Sequence, residues 1–495
     1  LNITADIKPW LTLGAYVNGY VSNMDPAAKY TDTSSTSTSV DDVFTYASAT
    51  TPGMVFQAPD GRFGAMNNPE DDAQSAVNNP LVRLNQVAGN IAKHNLRTRF
   101  VATLKPFKGF SITGSYSYDV VDEERKRKPV ILEQWNFRDE LITRTTEGKS
   151  SIMNYDGKTQ RYFNDVVARY ENRFINDQLG LNAMIGASQE RYYQHNFQAT
   201  KYDLIDYSLN VINGATGDAS ASGSSTEWAM RSFFGRVNYG FKDKYLFEAN
   251  IRTDGSSRFA KGHKWGYFPS GGLAWRINQE DFLKDVKWLS DMKIRASYGI
   301  TGNNNIGDYA SIGIMENANY VLGTGTGNIV NGAAQKSFSN ADLTWEKTRQ
   351  TDLGFEISVL DSRLSLSLDL YYRKTTDLLM DVDIPTITGF EKAMQNIGKM
   401  RNKGLEITLS GTPFRGKDFT WDATGNISVN RNKVLALGPT GDPIFSDGGA
   451  GTTHVTMVGQ PIGAFYGYKM LGIFKTKEEL DSYPHLADTQ VGDVM

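Results

Sequence analysis

Residues 363–373 read RLSLSLDLYYR and decide the fold class, because apolar and polar residues alternate from Leu364 to Leu370. Three runs close by alternate in the same way: 352–359 (DLGFEISV), 403–410 (KGLEITLS) and 419–430 (FTWDATGNISVN). Successive side chains of a β-strand project to opposite faces of the sheet. Each run therefore predicts a strand with one apolar and one polar face.

The connections between these runs alternate in length. Asp361–Ser362 and residues 412–418 are short joins, whereas residues 375–401 form a long excursion. Short turns at one end of the strands and long loops at the other end are typical of outer-membrane β-barrels. The stretch therefore predicts an all-β protein, a transmembrane antiparallel β-barrel.

The same pattern recurs along the chain and predicts about 14–15 strands of nine to thirteen residues. A tilted strand needs ~9–11 residues to cross a bilayer, whereas strands of soluble proteins average nearer five or six. We expect long extracellular loops between the strands, near residues 22–95, 120–160, 192–228, 301–344, 375–401 and 431–462.

Charged residues recur on the predicted polar face of several strands. Arg236 and Glu248, in the predicted pair 229–240 and 245–253, are examples. Charged side chains at such regular positions need water or partners on their side of the sheet. We therefore expect water against the polar face and membrane hydrocarbon against the apolar face.

Composition narrows the possible functions. The chain has 495 residues and a formal net charge of −3, which gives no electrostatic case for nucleic-acid binding. Cysteine is absent, which excludes disulfides, thiol catalysis and cysteine–zinc sites. Mean hydropathy is −0.42 and no apolar run approaches 18 residues, so no transmembrane helix is expected.

Aromatic residues are abundant, with 25 Phe, 24 Tyr and 8 Trp. This content suits the aromatic girdles of a membrane barrel, and it also suits carbohydrate binding or a large β core. Several aromatic residues lie beside the predicted short turns, either as a membrane-interface girdle or as hairpin packing: Trp10, Phe107, Phe110, Phe241, Tyr245, Phe414, Phe419 and Trp421.

No motif predicts catalysis or a bound cofactor. The acidic clusters 70–72 and 381–383 could bind calcium in outer loops, although we favour solvated loops as their explanation. The polar-face carboxylates Asp369, Glu406 and Asp422 are spread along different strands, which favours a hydrated lining over a glycosidase pair. We predict neither catalytic residues nor a metal site.

Four residues at the start of the predicted loop 301–344 are candidates for ligand binding. Asparagine amides and a tyrosine ring can contact a sugar or a peptide, and the alternative is a structural role in the loop. The candidates are Asn303, Asn304, Asn305 and Tyr309.

Several blocks resemble the SusC/RagA family of TonB-dependent outer-membrane transporters of Bacteroidetes. They occur together and in the family's order, densely from about residue 161 to residue 475. The blocks are 234–239 (FGRVNY), 245–259 (YLFEANIRTDGSSRF), 265–270 (WGYFPS), 294–299 (IRASYG), 302–307 (GNNNIG), 343–347 (LTWEK), 402–406 (NKGLE) and 459–463 (GQPIG).

The resemblance implies a 22-stranded barrel that an N-terminal plug domain fills. It also implies energy from the TonB complex and a SusD-like surface lipoprotein that closes over the barrel. The plug, the TonB box and the terminal strands of the family are absent from residues 1–495. We therefore interpret the chain as a partial barrel, with the TonB contacts in the absent N-terminal region.

The leading hypothesis is active import of oligosaccharides across the cell outer membrane, with oligopeptide import as the alternative. A hypothesis from another class is a secreted soluble β-protein that binds or hydrolyses carbohydrate. That hypothesis explains the aromatic residues, but it leaves the strand length and the charged polar face unexplained. A barrel-embedded enzyme would need a nucleophile–base pair, and the sequence shows none.

Overall fold

The computed structural model describes residues 1–24, 47, 55–65, 79–137, 140–146, 150–283, 285–323, 329–390, 392–447, 452–486 and 488–495. Strands make up 65% of the structure and helices 5%, which confirms the all-β prediction. Among the described residues, no helix is both long enough and apolar enough to cross a membrane.

The strands and helices are numbered in chain order. The strands are β1 (Asn2–Lys8), β2 (Leu11–Met24), β3 (Phe63–Gly64), β4 (Val87–Phe107), β5 (Phe110–Pro129), β6 (Glu133–Asn136), β7 (Leu141–Thr145), β8 (Ser151–Phe174), β9 (Leu179–Tyr202), β10 (Ala219–Phe241), β11 (Tyr245–Ser256), β12 (Trp265–Arg276), β13 (Leu289–Asn303), β14 (Met315–Asn317), β15 (Tyr320–Val321), β16 (Ile329–Val330), β17 (Ala333–Gln335), β18 (Glu346–Val359), β19 (Leu364–Asp383), β20 (Lys392–Arg415), β21 (Thr420–Ala436), β22 (Ile444–Asp447), β23 (Thr452–Thr456) and β24 (Ala464–Phe465). The described helices are α1 (Pro80–Asn85) and α2 (Lys477–Ser482), with 3₁₀ turns at Ile212–Gly214, Ile277–Gln279 and Thr386–Thr388.

Fourteen of these strands form one sheet in the order β1-β2-β4-β5-β8-β9-β10-β11-β12-β13-β18-β19-β20-β21. Each long strand therefore neighbours the next long strand of the chain, as in an up-and-down barrel. The chain divides into two compact units. Unit 1 comprises Leu1–Glu171, Met184–Phe234 and Asp254–Ser257, and unit 2 comprises the remainder: Asn172–Ala183, Gly235–Thr253 and Arg258–Met495.

The strand register in unit 2 aligns apolar residues from four strands in one row. Leu353 pairs with Leu370, Leu370 with Leu405, and Leu405 with Val429. Leu353 is 54% exposed and Val429 is 49% exposed. A sandwich core would bury such a row. These exposed apolar residues therefore count against the alternative of a secreted soluble β-protein and fit a sheet that faces hydrocarbon.

Unit 1 shows the same separation of faces. Its register joins Ala5 to Leu13, Leu13 to Ala102, Ala102 to Gly114, and Gly114 to Val166. These residues form one apolar row across five strands. Ion pairs lie on the opposite face, where Arg97 Nε contacts Asp119 Oδ2 at 3.0 Å.

The core of unit 1 lies beyond the long-loop end of the strands. The Asn79 side chain is fully buried there and caps α1 by accepting the Leu81 amide at 2.9 Å. Its amide nitrogen donates to the carbonyls of Phe56 at 2.7 Å and Gly64 at 2.8 Å. One asparagine thus ties the segment 55–65 to the helix.

The predicted strand lengths and loop boundaries were wrong, because the strands continue past the predicted membrane span. β5 runs to Pro129 and β8 begins at Ser151, so only the middle of the predicted loop 120–160 lies outside them. Within the predicted loop 192–228, β9 runs to Tyr202 and β10 begins at Ala219. Within the predicted loop 375–401, β19 runs to Asp383 and β20 begins at Lys392. β21 runs to Ala436, within the predicted loop 431–462.

The charge run 122–128 shows why the prediction failed. It lies in β5 and pairs with β4, where Lys93 Nζ contacts Glu123 Oε2 at 2.6 Å. Backbone hydrogen bonds do not depend on side-chain polarity, so polar strands pair as well as apolar ones when their charges match. Of the predicted loop 22–95, residues 25–46, 48–54 and 66–78 lie outside the described part of the chain.

The facing of the sheet leads to a stability prediction. Leu370 is about six residues beyond the start of β19, roughly 15 Å above the turn for a tilted strand, near the middle of a ~25 Å apolar band. Leu370→Arg should lower the free energy of unfolding in lipid vesicles by about 2–4 kcal/mol. Ser367→Arg, on the polar face, is the control and should cost far less. An equal loss of unfolding free energy in the two variants would contradict the assignment of Leu370 to the lipid-facing side of the sheet.

Candidate functional site

An ion-pair cluster spans three strands on the polar face of unit 2. On β13, Lys293 Nζ contacts Glu356 Oε2 at 2.7 Å and Arg295 Nε contacts Glu356 Oε1 at 2.9 Å. The Arg295 guanidinium also donates to Asp369 Oδ1 on β19. Two cations and two carboxylates therefore balance, and the side chains are 26–37% exposed, as on a hydrated surface.

Gly354 makes this cluster possible. It lies on β18, opposite Arg295 on one side and Asp369 on the other. A Cβ atom at Gly354 would approach Nε and Cζ of Arg295 to 2.6 Å. The guanidinium therefore crosses the middle strand through space that any larger residue would fill.

A second glycine serves a tyrosine in the same way. Tyr371 pairs with Gly404, which pairs with Asn430. A Cβ atom at Gly404 would lie 2.0 Å from the Tyr371 ring. The ring crosses Gly404, and its hydroxyl lies 3.1 Å from Asn430 Oδ1, to which it donates. The polar face therefore presents an aromatic ring and an amide beside the charges.

The polar face continues towards the long-loop end. Gln350 Nε2 donates to Asp352 Oδ1 at 2.7 Å, and Arg373 Nε donates to Gln350 Oε1 at 2.8 Å. Asp422, at the other end, accepts the Thr412 hydroxyl at 2.6 Å. Asp369 and Asp422 therefore both contact side chains on other strands. They are two of the three carboxylates considered above for glycosidase chemistry.

The candidate residues Asn303, Asn304 and Asn305 form a tight turn at the end of β13. The Asn303 side chain accepts the Asn305 amide at 3.0 Å, as in an Asx turn. The Asn304 carbonyl accepts from Arg258 Nη1 at 3.1 Å. Arg258 Nε in turn contacts Asp308 Oδ1 at 2.8 Å. Arg258 thus links the middle of the turn to Asp308, four residues further along the chain.

A buried aromatic cluster lies beneath this turn. The Trp345 ring centroid is 5.4 Å from that of Phe259 and 5.3 Å from that of Phe268. The indole Nε1 donates to the Lys264 carbonyl at 2.9 Å. Gly302 leaves room for the Phe268 ring, since a Cβ atom there would lie 2.1 Å from it. The first residues of loop 301–344 are therefore held by a rigid support.

Asn303, Asn304 and Asn305 lie in one turn, and Tyr309 follows four residues later along the chain. Asn303, Asn305 and Tyr309 are exposed, whereas Asn304 is half-buried. The sequence motifs did not predict the support from Arg258 and Trp345. Both residues lie in blocks that carry the family resemblance, 245–259 and 343–347, so this signal could have found them.

The calcium prediction stays a prediction. Residues 70–72 lie outside the described residues, as does the side chain of Asp383. In the part of the chain that the structure describes, no three His, Asp or Glu residues form a group that could hold a metal ion.

The space at Gly354 leads to a second prediction. Gly354→Ala should lower the free energy of unfolding by about 1–3 kcal/mol, because the methyl group overlaps the Arg295 guanidinium. Gly272→Ala is the matched control on the same face, since its Cβ would meet nothing closer than 3.6 Å. Gly272→Ala should change the free energy of unfolding by no more than about 0.5 kcal/mol.

A double-mutant cycle in vesicles completes this test. Adding Arg295→Ala to Gly354→Ala should recover most of the steric cost, because the overlapping group is removed. Additive costs for the two changes would show that the guanidinium does not occupy the space above Gly354.

Comparison with known proteins identifies the family. Residues 16–458 match the family model described as TonB dependent receptor-like, beta-barrel. The chain belongs to this family of outer-membrane β-barrels. Members of the family are transport proteins rather than enzymes.

Two relatives show where the likeness lies. TonB-dependent receptor P26 of Formosa agariphila is 32% identical over 464 residues, covering 90% of this chain and 44% of the relative. TonB-dependent receptor SusC of Bacteroides thetaiotaomicron is 36% identical over 303 residues, covering 58% of this chain and 29% of the relative. The chain therefore spans less than half the length of these relatives.

Solved structures confirm the fold. The RagAB peptide transporter structure matches with a TM-score of 0.76 at 23% identity, over 96% of this chain and 50% of that one. The outer membrane transporter YddB from Escherichia coli matches with a TM-score of 0.52 at 10% identity, over 93% and 51%. The family model and the likeness to SusC confirm the predicted SusC/RagA-type resemblance.

Proposed function

We propose that the chain forms the barrel portion of a TonB-dependent importer of oligosaccharides in the outer membrane. The main support is the separation of faces: exposed apolar rows lie on one side of the sheet, and charged and amide groups lie on the other. A hydrated face of this kind can line a path for a polar cargo that is too large for simple diffusion. The family match supports coupling to the TonB complex.

The polar face also supports a glycan as the cargo. Tyr371 offers a ring on which a sugar can stack, and Asn430 beside it offers an amide. Sugars combine apolar C–H faces with many hydroxyl groups, so a ring flanked by hydrogen-bonding groups suits them. The likeness to SusC agrees with this choice.

Oligopeptide import is the second candidate. The structure whose fold matches with a TM-score of 0.76 is called a peptide transporter, which is a statement about that protein. A peptide backbone also offers donors and acceptors to the groups of the polar face. Growth assays separate the two candidates: a strain that lacks the gene should lose growth on a glycan and keep growth on oligopeptides. The opposite result would favour the peptide.

We further propose that the full protein works with a SusD-like surface lipoprotein, as the SusC and RagAB relatives imply. In this proposal the lipoprotein closes over the long-loop end and the plug transmits the pull of TonB. Co-purification of such a lipoprotein with the full-length protein would support the partnership, and isolation of the barrel alone in mild detergent would weigh against it.

The loop 301–344 can be tested without disturbing its support. Lys336 N donates to the Ile314 carbonyl at 2.7 Å, so the chain returns to its starting point across residues 315–335. Replacing 315–335 by two glycines should preserve folding, because the aromatic cluster and the Arg258–Asp308 pair remain. We expect glycan uptake to fall in a transport assay, if this segment captures cargo. Unaltered uptake with a folded barrel would remove the segment from ligand capture.

The exposed Asn305 side chain tests the candidate contact residues. Among the described residues, Asn305 supports the turn through its backbone amide, which donates to Asn303 Oδ1. Asn305→Ala should therefore leave the melting temperature unchanged while it weakens glycan binding by several-fold, the effect of one hydrogen bond worth about 1 kcal/mol. Calorimetry on the full-length protein measures both quantities. Unchanged affinity would assign these residues to loop structure alone.

A further inference from the structure

The apolar face of unit 1 contains a groove of about 1070 Å³. Small residues form its floor, among them Ala102, Gly114 and Ala187. Large exposed side chains border it, such as Val166 at 56% exposure and Phe233 at 48%. The groove therefore exists because the sequence places small residues in the middle of an otherwise bulky apolar surface.

The groove opens on the membrane-facing side of the sheet. Gly114 pairs with Val166, and a Cβ atom at Gly114 would lie 4.0 Å from a Val166 methyl group. Ser115, next to Gly114 in sequence, and Asp165, next to Val166, project to the opposite face of the sheet. There the Ser115 hydroxyl donates to Asp165. The floor and the border residues thus share the face that meets hydrocarbon in an outer-membrane barrel.

One border of the groove is polar. Arg231, Gln189 and Asn164 lie there, next to the apolar residues. Arg191, two residues beyond Gln189 on the same strand, has a partner, since its guanidinium contacts Glu227 at 2.8 Å. Arg231 is exposed and forms no ion pair with any residue that the structure describes. Its guanidinium is therefore available to an anion from outside the chain.

The position of Arg231 along its strand places this cation near the edge of the membrane. Arg231 is about ten residues from Phe241, where β10 reaches its short turn. At ~3.3 Å per residue and a tilt of ~35–45°, this corresponds to roughly 25 Å, the height of the apolar band of an outer-membrane barrel. Phe233, two residues nearer the turn, lies within the band. The cation is thus level with lipid headgroups, and the groove is level with acyl chains.

We propose that this groove binds a phosphorylated membrane lipid, with an acyl chain along its apolar floor and a lipid phosphate at Arg231. An acyl chain suits a lining of alanine, glycine, valine and phenylalanine, because burial of both apolar surfaces is favourable. A guanidinium binds phosphate with paired, charge-assisted hydrogen bonds. Gln189 and Asn164 add amide groups beside the headgroup. The site is separate from the polar face and does not depend on the cargo.

Two variants remove the two halves of the site. Arg231→Gln removes the cation and keeps a side chain that can form hydrogen bonds. Gly114→Leu fills the floor, and the 4.0 Å clearance at Gly114 leaves room for the larger side chain without backbone strain. Arg97→Gln is the matched control, because Arg97 is a similarly exposed arginine on the opposite face of the same sheet.

Native mass spectrometry of the full-length protein in detergent tests the proposal. Phosphatidylglycerol is compared with a diacylglycerol that has the same acyl chains and lacks phosphate. The native protein should retain phosphatidylglycerol in preference. Arg231→Gln should lower this retention about tenfold, to the level of the diacylglycerol, and Gly114→Leu should lower the retention of both lipids. Arg97→Gln should behave like the native protein.

Three outcomes would overturn the proposal. Equal retention of phosphatidylglycerol by the native protein and Arg231→Gln would show that the cation does not recognise phosphate. Unchanged retention by Gly114→Leu would show that lipid binds elsewhere on the barrel. Competition by inorganic phosphate at millimolar concentration would indicate a phosphate site rather than a lipid site. Circular dichroism and melting temperature confirm that each variant is folded.

Discussion

The structure depends on continuous backbone pairing between strands whose two faces meet different solvents. A bilayer offers no partner to an unpaired amide or carbonyl, so each strand within it must be hydrogen-bonded to neighbours on both sides. Because side chains alternate, one register satisfies the backbone and also sorts apolar from charged residues. A shift of one residue would turn Arg295 towards hydrocarbon and Ile294 towards water. The exposed apolar rows and the paired charges are therefore two results of one constraint.

Glycine extends this constraint from two strands to three. Gly354 and Gly404 have no side chain where a neighbour's long side chain must cross. Arg295 and Tyr371 thereby reach partners two strands away, and the polar face becomes a connected network rather than separate pairs. On the apolar face, Gly114 has the opposite effect and leaves space that the protein itself does not fill. The same residue type thus supports contacts on one face and a groove on the other.

The loop end combines two requirements that compete elsewhere in proteins. A surface that captures a large ligand must be exposed, and exposed loops tend to move. Here Arg258 and Trp345 anchor the turn at 303–305 from below, while Asn305 remains exposed above it. The strands also continue past the predicted membrane span, and their pairing supports the long-loop end of the sheet. A ligand would then meet groups that need little ordering on binding.

The sequence by itself determined the fold class, the alternation of faces and the family, because period-two patterning and local motifs are written in neighbouring residues. It could not determine where strands end, since the pairing of the charged residues 122–128 depends on β4, which lies elsewhere in the chain. The candidate residues 303–305 were visible as a motif, but their support by Arg258 and Trp345 arises from contacts distant in sequence. Only the tertiary structure decided which glycines accommodate a neighbour and which leave a groove, because that depends on side chains from adjacent strands.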